Sequence, residues 1–95
     1  EGDDVTTPLK VSPSEAVLGG TAPLTTLDGN VRVKIPPGSS TGRRIRLRGR
    51  GYPGKGGRRG DLFAEIQVVV PSEPTDEEKK LYAQLAEVSP FDPRD

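Results

Sequence analysis

The residues of this chain best equipped for chemistry are its cations. Ten lysines and arginines and no acid lie between Arg32 and Arg59. Arg32, Lys34, Arg44, Arg46, Arg48, Arg50, Lys55, Arg58 and Arg59 suffice to neutralise several phosphates, so salt-dependent binding of a polyanion is the first chemistry to weigh. Against it, Tyr52 is the one aromatic interleaved among them for base stacking. Solvated cations on a sheet's outer face also serve to discourage edge-to-edge aggregation. Nucleic-acid contact is therefore expected to be non-specific at most.

Catalytic chemistry has less to work with. Gly49-Arg50-Gly51-Tyr52-Pro53-Gly54 formally fits the dinucleotide fingerprint, but Pro53 and further glycines stand where a helix should begin. No Gly-Lys pair is followed by Ser or Thr, so the phosphate-loop motif is missing. The chain has no His and no Cys, which excludes serine–histidine catalysis, disulfides and the commonest zinc and haem sites. Asp76, Glu77 and Glu78 read as a helix cap and a solvated face. A non-enzymatic protein without a cofactor is expected.

The elements that position the cations follow from alternation. Val31, Val33 and Ile35 alternate with Arg32 and Lys34, and Ile45 and Leu47 alternate with Arg44, Arg46 and Arg48. That period of two predicts strands with one face in a core and one in water. Asp28-Gly29 is a hairpin signal before the first of them. Pro36-Pro37-Gly38 breaks the ladder after Ile35, and the chain is expected to return as a strand over Arg43–Arg48, giving a sheet with one strongly cationic face.

Around this pair, Val5, Thr7, Leu9 and Val11 share one face of a first strand, which Pro8 marks as an edge or an interrupted strand. Ser12 caps a short helix with Pro13 at its first position, and Gly19-Gly20 ends it. Thr21 to Leu27 is extended, with Ala22, Leu24 and Thr26 on one face. Gly49–Gly60 is expected to be a mobile loop that buries little. Leu62, Ala64, Ile66, Val68 and Val70 face one way along a strand placed at the centre of the sheet, with the triple valine suggesting an end covered on both sides. After the stiff Pro71–Pro74 linker, Thr75 and Glu78 form a capping box for a helix to about Val88, with Leu81, Leu85 and Val88 as its apolar stripe and Tyr82 and Ala86 beside it.

Composition sets the limits. Ninety-five residues suit one domain, able to bury about 60–65% of its extended-chain surface, with a stability on the order of 5–10 kcal/mol. The core must be aliphatic, since Phe63, Phe91, Tyr52 and Tyr82 are the only aromatics. The zero net charge hides a dipole, with acids gathered before Val31 and after Glu73. No apolar run approaches the roughly 20 residues of a membrane span. The lack of Cys is compatible with a reducing cytoplasm.

The stretch T-L-D-G-x-V-x-V-K-I-P-P-G-x-x-T-G-x-x-x-R-L-R-G-x-G-x-P from Thr26 to Pro53, followed by Gly60-Asp61-Leu62, resembles the second C-terminal β-domain of a DnaJ-type co-chaperone. Glu1-Gly2-Asp3-Asp4-Val5 resembles the usual lead into that domain, and Ser14–Gly20 its short helix. The resemblance implies a protein that holds unfolded clients and passes them to a DnaK-type chaperone through domains absent here, acting in the cytoplasm and in the heat-shock response. It implies a shallow apolar client groove lined by Thr7 and Leu9 from the first strand and Ala22, Leu24 and Thr26 from the second. Thr7, Ala22 and Thr26 are smaller than the aliphatics typical there, so a shallower groove and weaker binding are expected. The alternative is that Leu9 and Leu24 are ordinary core residues.

The resemblance also implies a homodimer formed at the C-terminal end, with Leu81, Tyr82, Leu85, Val88 and Phe91 as contacts, unless that stripe folds back on its own sheet. The expected fold is mainly β. A small β-sandwich over residues 1–71 carries a short helix after its first strand, and residues 72–95 form a linker and a C-terminal amphipathic helix. The readings that compete with a client-binding and dimerisation module are a basic β-module for nucleic acid or another polyanion, and a structural spacer.

Overall fold

The computed structural model describes residues 3–95, so Glu1, Gly2 and the side chain of Lys55 lie outside the described part. The chain forms β1 (Val5–Val11), α1 (Pro13–Leu18), β2 (Gly20–Thr26), β3 (Gly29–Ile35), β4 (Arg44–Leu47), β5 (Leu62–Val68) and α2 (Asp76–Val88), with a 3-10 turn at Lys55–Gly57. The strands make two sheets, β1-β5-β4 and the hairpin β2-β3. The mainly β fold with a short helix after β1 and a C-terminal helix is as the alternation predicts.

Between the sheets lies one aliphatic core. Leu9 and Val11 from β1, Ala22 and Leu24 from β2, Val33 and Ile35 from β3, and Leu62, Ala64 and Ile66 from β5 are buried, with Ala16 of α1. In each strand these are alternate residues, so one pleat face of each sheet lines the core and the other meets solvent. β5 is central, pairing parallel with β1 (Val5 opposite Leu62, Val11 opposite Val68) and antiparallel with β4 (Arg44 opposite Glu65). β1 is an edge, as Pro8 requires.

Local signals operate where expected. Ser12 Oγ accepts from Glu15 N–H at 3.2 Å while Glu15 Oε1 accepts from Ser12 N–H at 2.9 Å, so α1 opens with a full capping box. Gly19 closes it at φ +84°, where a Cβ would stand 2.9 Å from the Ile35 carbonyl oxygen. α2 opens with the same box, Thr75 accepting from Glu78 N–H at 3.1 Å and Glu78 from Thr75 N–H at 2.7 Å.

Three expectations are corrected. First, β3 and β4 do not share a sheet. After Ile35 the chain is bonded to α1, with Gly38 N–H donating to Val17 O and Ser39 N–H to Ala16 O. It then joins β5 through Gly42 N–H to Ile66 O and Ile66 N–H to Arg43 O. Pro36-Pro37 thus leads to a crossing between layers, because β5 needs a second partner and the prolines cannot close a hairpin ladder. Second, β5 ends at Val68, and Val69 and Val70 are exposed instead of covered on both sides.

Third, the glycine-rich loop is bonded into the fold. Gly51 N–H donates to Gly60 O, Gly60 N–H to Tyr52 O, and Tyr52 N–H to Asp3 O at 2.9–3.1 Å, and Pro53 bridges Arg59. Gly51 is buried, and a Cβ there would stand 2.6 Å from Asp3 O and 2.7 Å from Asp61 O. The glycines serve close backbone approach as well as turning. Gly51→Ala is expected to cost about 1–3 kcal/mol in a urea titration, since only backbone atoms stand in the way and none can rotate aside. An unchanged midpoint would show that the loop packs loosely.

Candidate functional site

A cleft of about 270 Å³ opens between the start of β1 and the end of β2. Val5, Thr7, Thr26, Leu27, Leu62 and Tyr52 line it, with Thr25 and Arg50 at its rim. Of the five residues expected in a groove, Thr7 and Thr26 are brought together here. Leu9, Ala22 and Leu24 are not: they point between the sheets and are part of the buried core. The physical reason is the sandwich itself. β1 and β2 belong to different sheets, and filling the space between them consumes the middle of each strand's inner face.

What sequence reasoning missed is the wall supplied by loops. Leu27 is a large exposed apolar residue in a tight turn, and Tyr52 is an aromatic amid glycines. Both were visible as residues out of character for their surroundings. Leu27 and Asp28 form the two-residue loop between Thr26 and Gly29, and the left-handed residue is Gly29 at φ +99°. Thr26 Oγ1 donates to Gly29 O and accepts from Asp28 N–H, which fixes the tip.

Ion pairs join that tip to the glycine loop. Arg59 Nη1 donates to both Asp28 carboxylate oxygens at 2.8 and 3.0 Å, and Arg50 Nη1 approaches Oδ2 at 3.3 Å. Arg59 also donates to Gly51 O at 2.8 and 3.1 Å. Asp61, at the start of β5, accepts from Gly49 N–H at 2.9 Å and from Arg46 Nε at 2.6 Å. Asp4 Oδ1 accepts from Asp61 N–H at 2.7 Å.

These bonds hold all three carboxyls below the ordinary carboxylate range. Arg59 is the chief cause for Asp28, the Gly49 N–H followed by Arg46 for Asp61, and the Asp61 N–H for Asp4. In the unfolded chain the same groups titrate near 3.8. Their contribution to stability is therefore complete above that value and is lost as pH falls through the lower folded values. The melting temperature is expected to fall below about pH 4, and less steeply in Asp28→Asn. Equal acid profiles for the two proteins would remove Asp28 from this account.

The five residues expected to form one basic face are divided. Arg32 and Lys34 lie on the outer face of the β2-β3 hairpin, with Arg32 Nη2 donating to Thr21 Oγ1 at 2.6 Å. Arg44 and Arg46 lie on the outer face of the three-stranded sheet, and Arg48 is in the turn after it. The core separates the two groups. Arg44 donates to Thr6 Oγ1 at 2.7 Å and stands 4.5 Å above the Phe63 ring, and Arg46 is paired with Asp61.

At the other end of the molecule, α2 buries none of its residues. Leu81 is 58% exposed, Leu85 54%, Val88 74% and Phe91 76%, and Tyr82 is also exposed. Leu81, Tyr82 and Leu85 form one side of an open groove of about 420 Å³, whose other side is Val17 and Leu18 of α1 with Pro13. The exposed pair at the end of α1 thus faces the same space as the helix stripe. Among the described residues no helix is long and apolar enough to cross a membrane, and no cluster of acidic side chains is placed to hold a metal ion.

The DnaJ C-terminal domain family matches residues 1–71. The chain is 48% identical over 94 residues to a curved DNA-binding protein of Coxiella burnetii, covering 99% of this chain and 29% of that protein. It is 46% identical over 88 residues to a chaperone protein DnaJ of Deinococcus proteolyticus, covering 93% and 28%. It is 44% identical over 87 residues to chaperone protein DnaJ 2 of Thermus thermophilus, covering 92% and 31%. The chain spans about three-tenths of the length of these relatives. With a family match across the whole sandwich and such identity to DnaJ proteins, the chain belongs to the DnaJ C-terminal domain family.

Proposed function

We propose that this chain is a non-enzymatic module of a DnaJ-type co-chaperone, which contributes to binding unfolded polypeptide and joins two copies through its C-terminal helix. The observation that carries the reading is apolar surface left open at both ends of a domain whose core is otherwise closed: the cleft at Val5, Leu27, Leu62 and Tyr52, and the groove at Val17, Leu18, Leu81 and Leu85. The cleft suits a weakly held apolar side chain of a client. The α2 groove suits the matching surface of a second copy, since a two-fold contact uses the same patch twice. Two weak clefts on one dimer then grip a client through effective concentration. A DnaK-type partner would be engaged by other parts of the longer protein, in the cytoplasm.

The test is an amide-shift titration with a permanently unfolded polypeptide at physiological salt. Shifts grouped at Val5, Thr7, Thr26, Leu27 and Tyr52 are expected. Silence there while α2 responds would leave dimerisation and remove client binding.

A second reading, polyanion binding, takes support from the name of the Coxiella relative and from the arginine content. It predicts loss of binding between low and moderate salt. The division of the cations between two outer faces, with Arg46, Arg50 and Arg59 already paired to carboxylates, argues for a shallow salt slope.

A further inference from the structure

The direction in which each edge strand turns its backbone groups can be read from its bonds. On β1, Val5 N–H donates to Asp61 O at 2.9 Å and Val11 O accepts from Val69 N–H at 2.8 Å. By alternation Val5, Thr7, Leu9 and Val11 face β5, and Thr6, Pro8 and Lys10 turn their backbone groups outward. In the hairpin, Thr26 and Gly29 stand opposite each other across a two-residue loop, which makes them a hydrogen-bonded pair. Thr21, Pro23 and Thr25 of β2 and Asn30, Arg32 and Lys34 of β3 therefore face outward.

The outward set of β1 has a proline at its centre, and so has that of β2. Neither edge offers an incoming strand an unbroken row of donors. β4 is only four residues long. β3 keeps the donor and acceptor of Asn30, Arg32 and Lys34, and no other described backbone segment bonds to them.

Side chains determine what this edge accepts. Arg32 and Lys34 are exposed on the outer face, while Val31, Val33 and Ile35 form an apolar row on the inner one. A strand laid beside β3 places alternate side chains next to those cations and the others in line with the valines. Two β3 edges pairing with each other would oppose cation to cation, which disfavours a second copy of this chain.

We propose that the free edge of β3 docks an extended segment of another polypeptide, with acidic residues at alternate positions and β-branched residues between them, as a third strand of the β2-β3 sheet. The site is separate from the cleft and does not depend on the reading given for it.

The test uses this chain and a short capped peptide alternating valine and glutamate, compared with its valine–lysine counterpart, followed by amide shifts and hydrogen exchange. The expected result is shifts and slowed exchange at Asn30, Arg32 and Lys34, with the glutamate peptide bound about tenfold more tightly. The double variant Arg32→Glu, Lys34→Glu is expected to reverse that preference. A glutamate peptide N-methylated on the edge that meets β3 is expected to lose binding without any change to the protein. Absence of binding, equal affinity for both peptides, or shifts centred on Thr21 and Thr25 or on Leu27 and Tyr52 would each overturn the proposal.

Discussion

Replacing Leu81 and Leu85 together by aspartate is expected to turn the proposed dimer into a monomer without changing the melting temperature of the β-sandwich. Both side chains are more than half exposed and α2 buries nothing against the sheets, so the isolated fold loses little by their removal. In a symmetric dimer the same residues contribute from both copies. At roughly 1.5–3 kcal/mol for each leucine taken out of water, with two leucines counted twice, dissociation should strengthen by about ten-thousandfold or more. Sedimentation equilibrium over a wide concentration range reads this directly. A chain that is already monomeric before substitution would refute the role given to α2.

The largest expected loss of stability is from Ile66→Ala. Ile66 is fully buried at the centre of the central strand, opposite Leu9 of β1, and its backbone bonds Gly42 and Arg43. Truncation there removes transfer free energy and leaves a cavity that β1 on one side and the bonded Gly42–Arg43 segment on the other prevent from collapsing, a cost of about 2–5 kcal/mol. Against a total of about 5–10 kcal/mol this is a large fraction. The urea midpoint should drop steeply with an unchanged slope, and Ile66→Val should cost only about 0.5–1.5 kcal/mol. A loss under about 1 kcal/mol for the alanine variant would show a core that adapts by repacking.

The contrast between these residues explains what the sequence could disclose. Ile66, Val33 and Ile35 were legible as core because period two separates faces without knowledge of partners. Ser12, Thr75 and Gly19 were legible because capping is local chemistry. Which strand lies beside which was not, since Arg32 and Arg44 carry the same alternation whether their strands share a sheet or sit in opposite ones. The cleft inherited that difficulty. Leu9, Ala22 and Leu24 were assigned to a groove by position along their strands, but the depth of a residue between two sheets is a property of the stacking. Gly51 and Gly60 read as flexibility because the backbone atoms that crowd them, from Asp3 and Asp61, come from distant parts of the chain.

The parallel pairing of β1 with β5 has a consequence for how the molecule comes to exist. Val5 finds its partner at Leu62, and β4 has its strand partner in β5, so a nascent chain that ends before Leu62 can close the β2-β3 hairpin but no ladder of the larger sheet. Loop closure over most of the domain must precede any reward from that sheet, which slows folding relative to a chain of hairpins. During synthesis β1 therefore waits with both edges unpaired, and Pro8 at its midpoint interrupts the one that stays outward in the finished sheet. A module of a chaperone would in this way carry, in its first strand, protection against the misassembly of its own nascent chain.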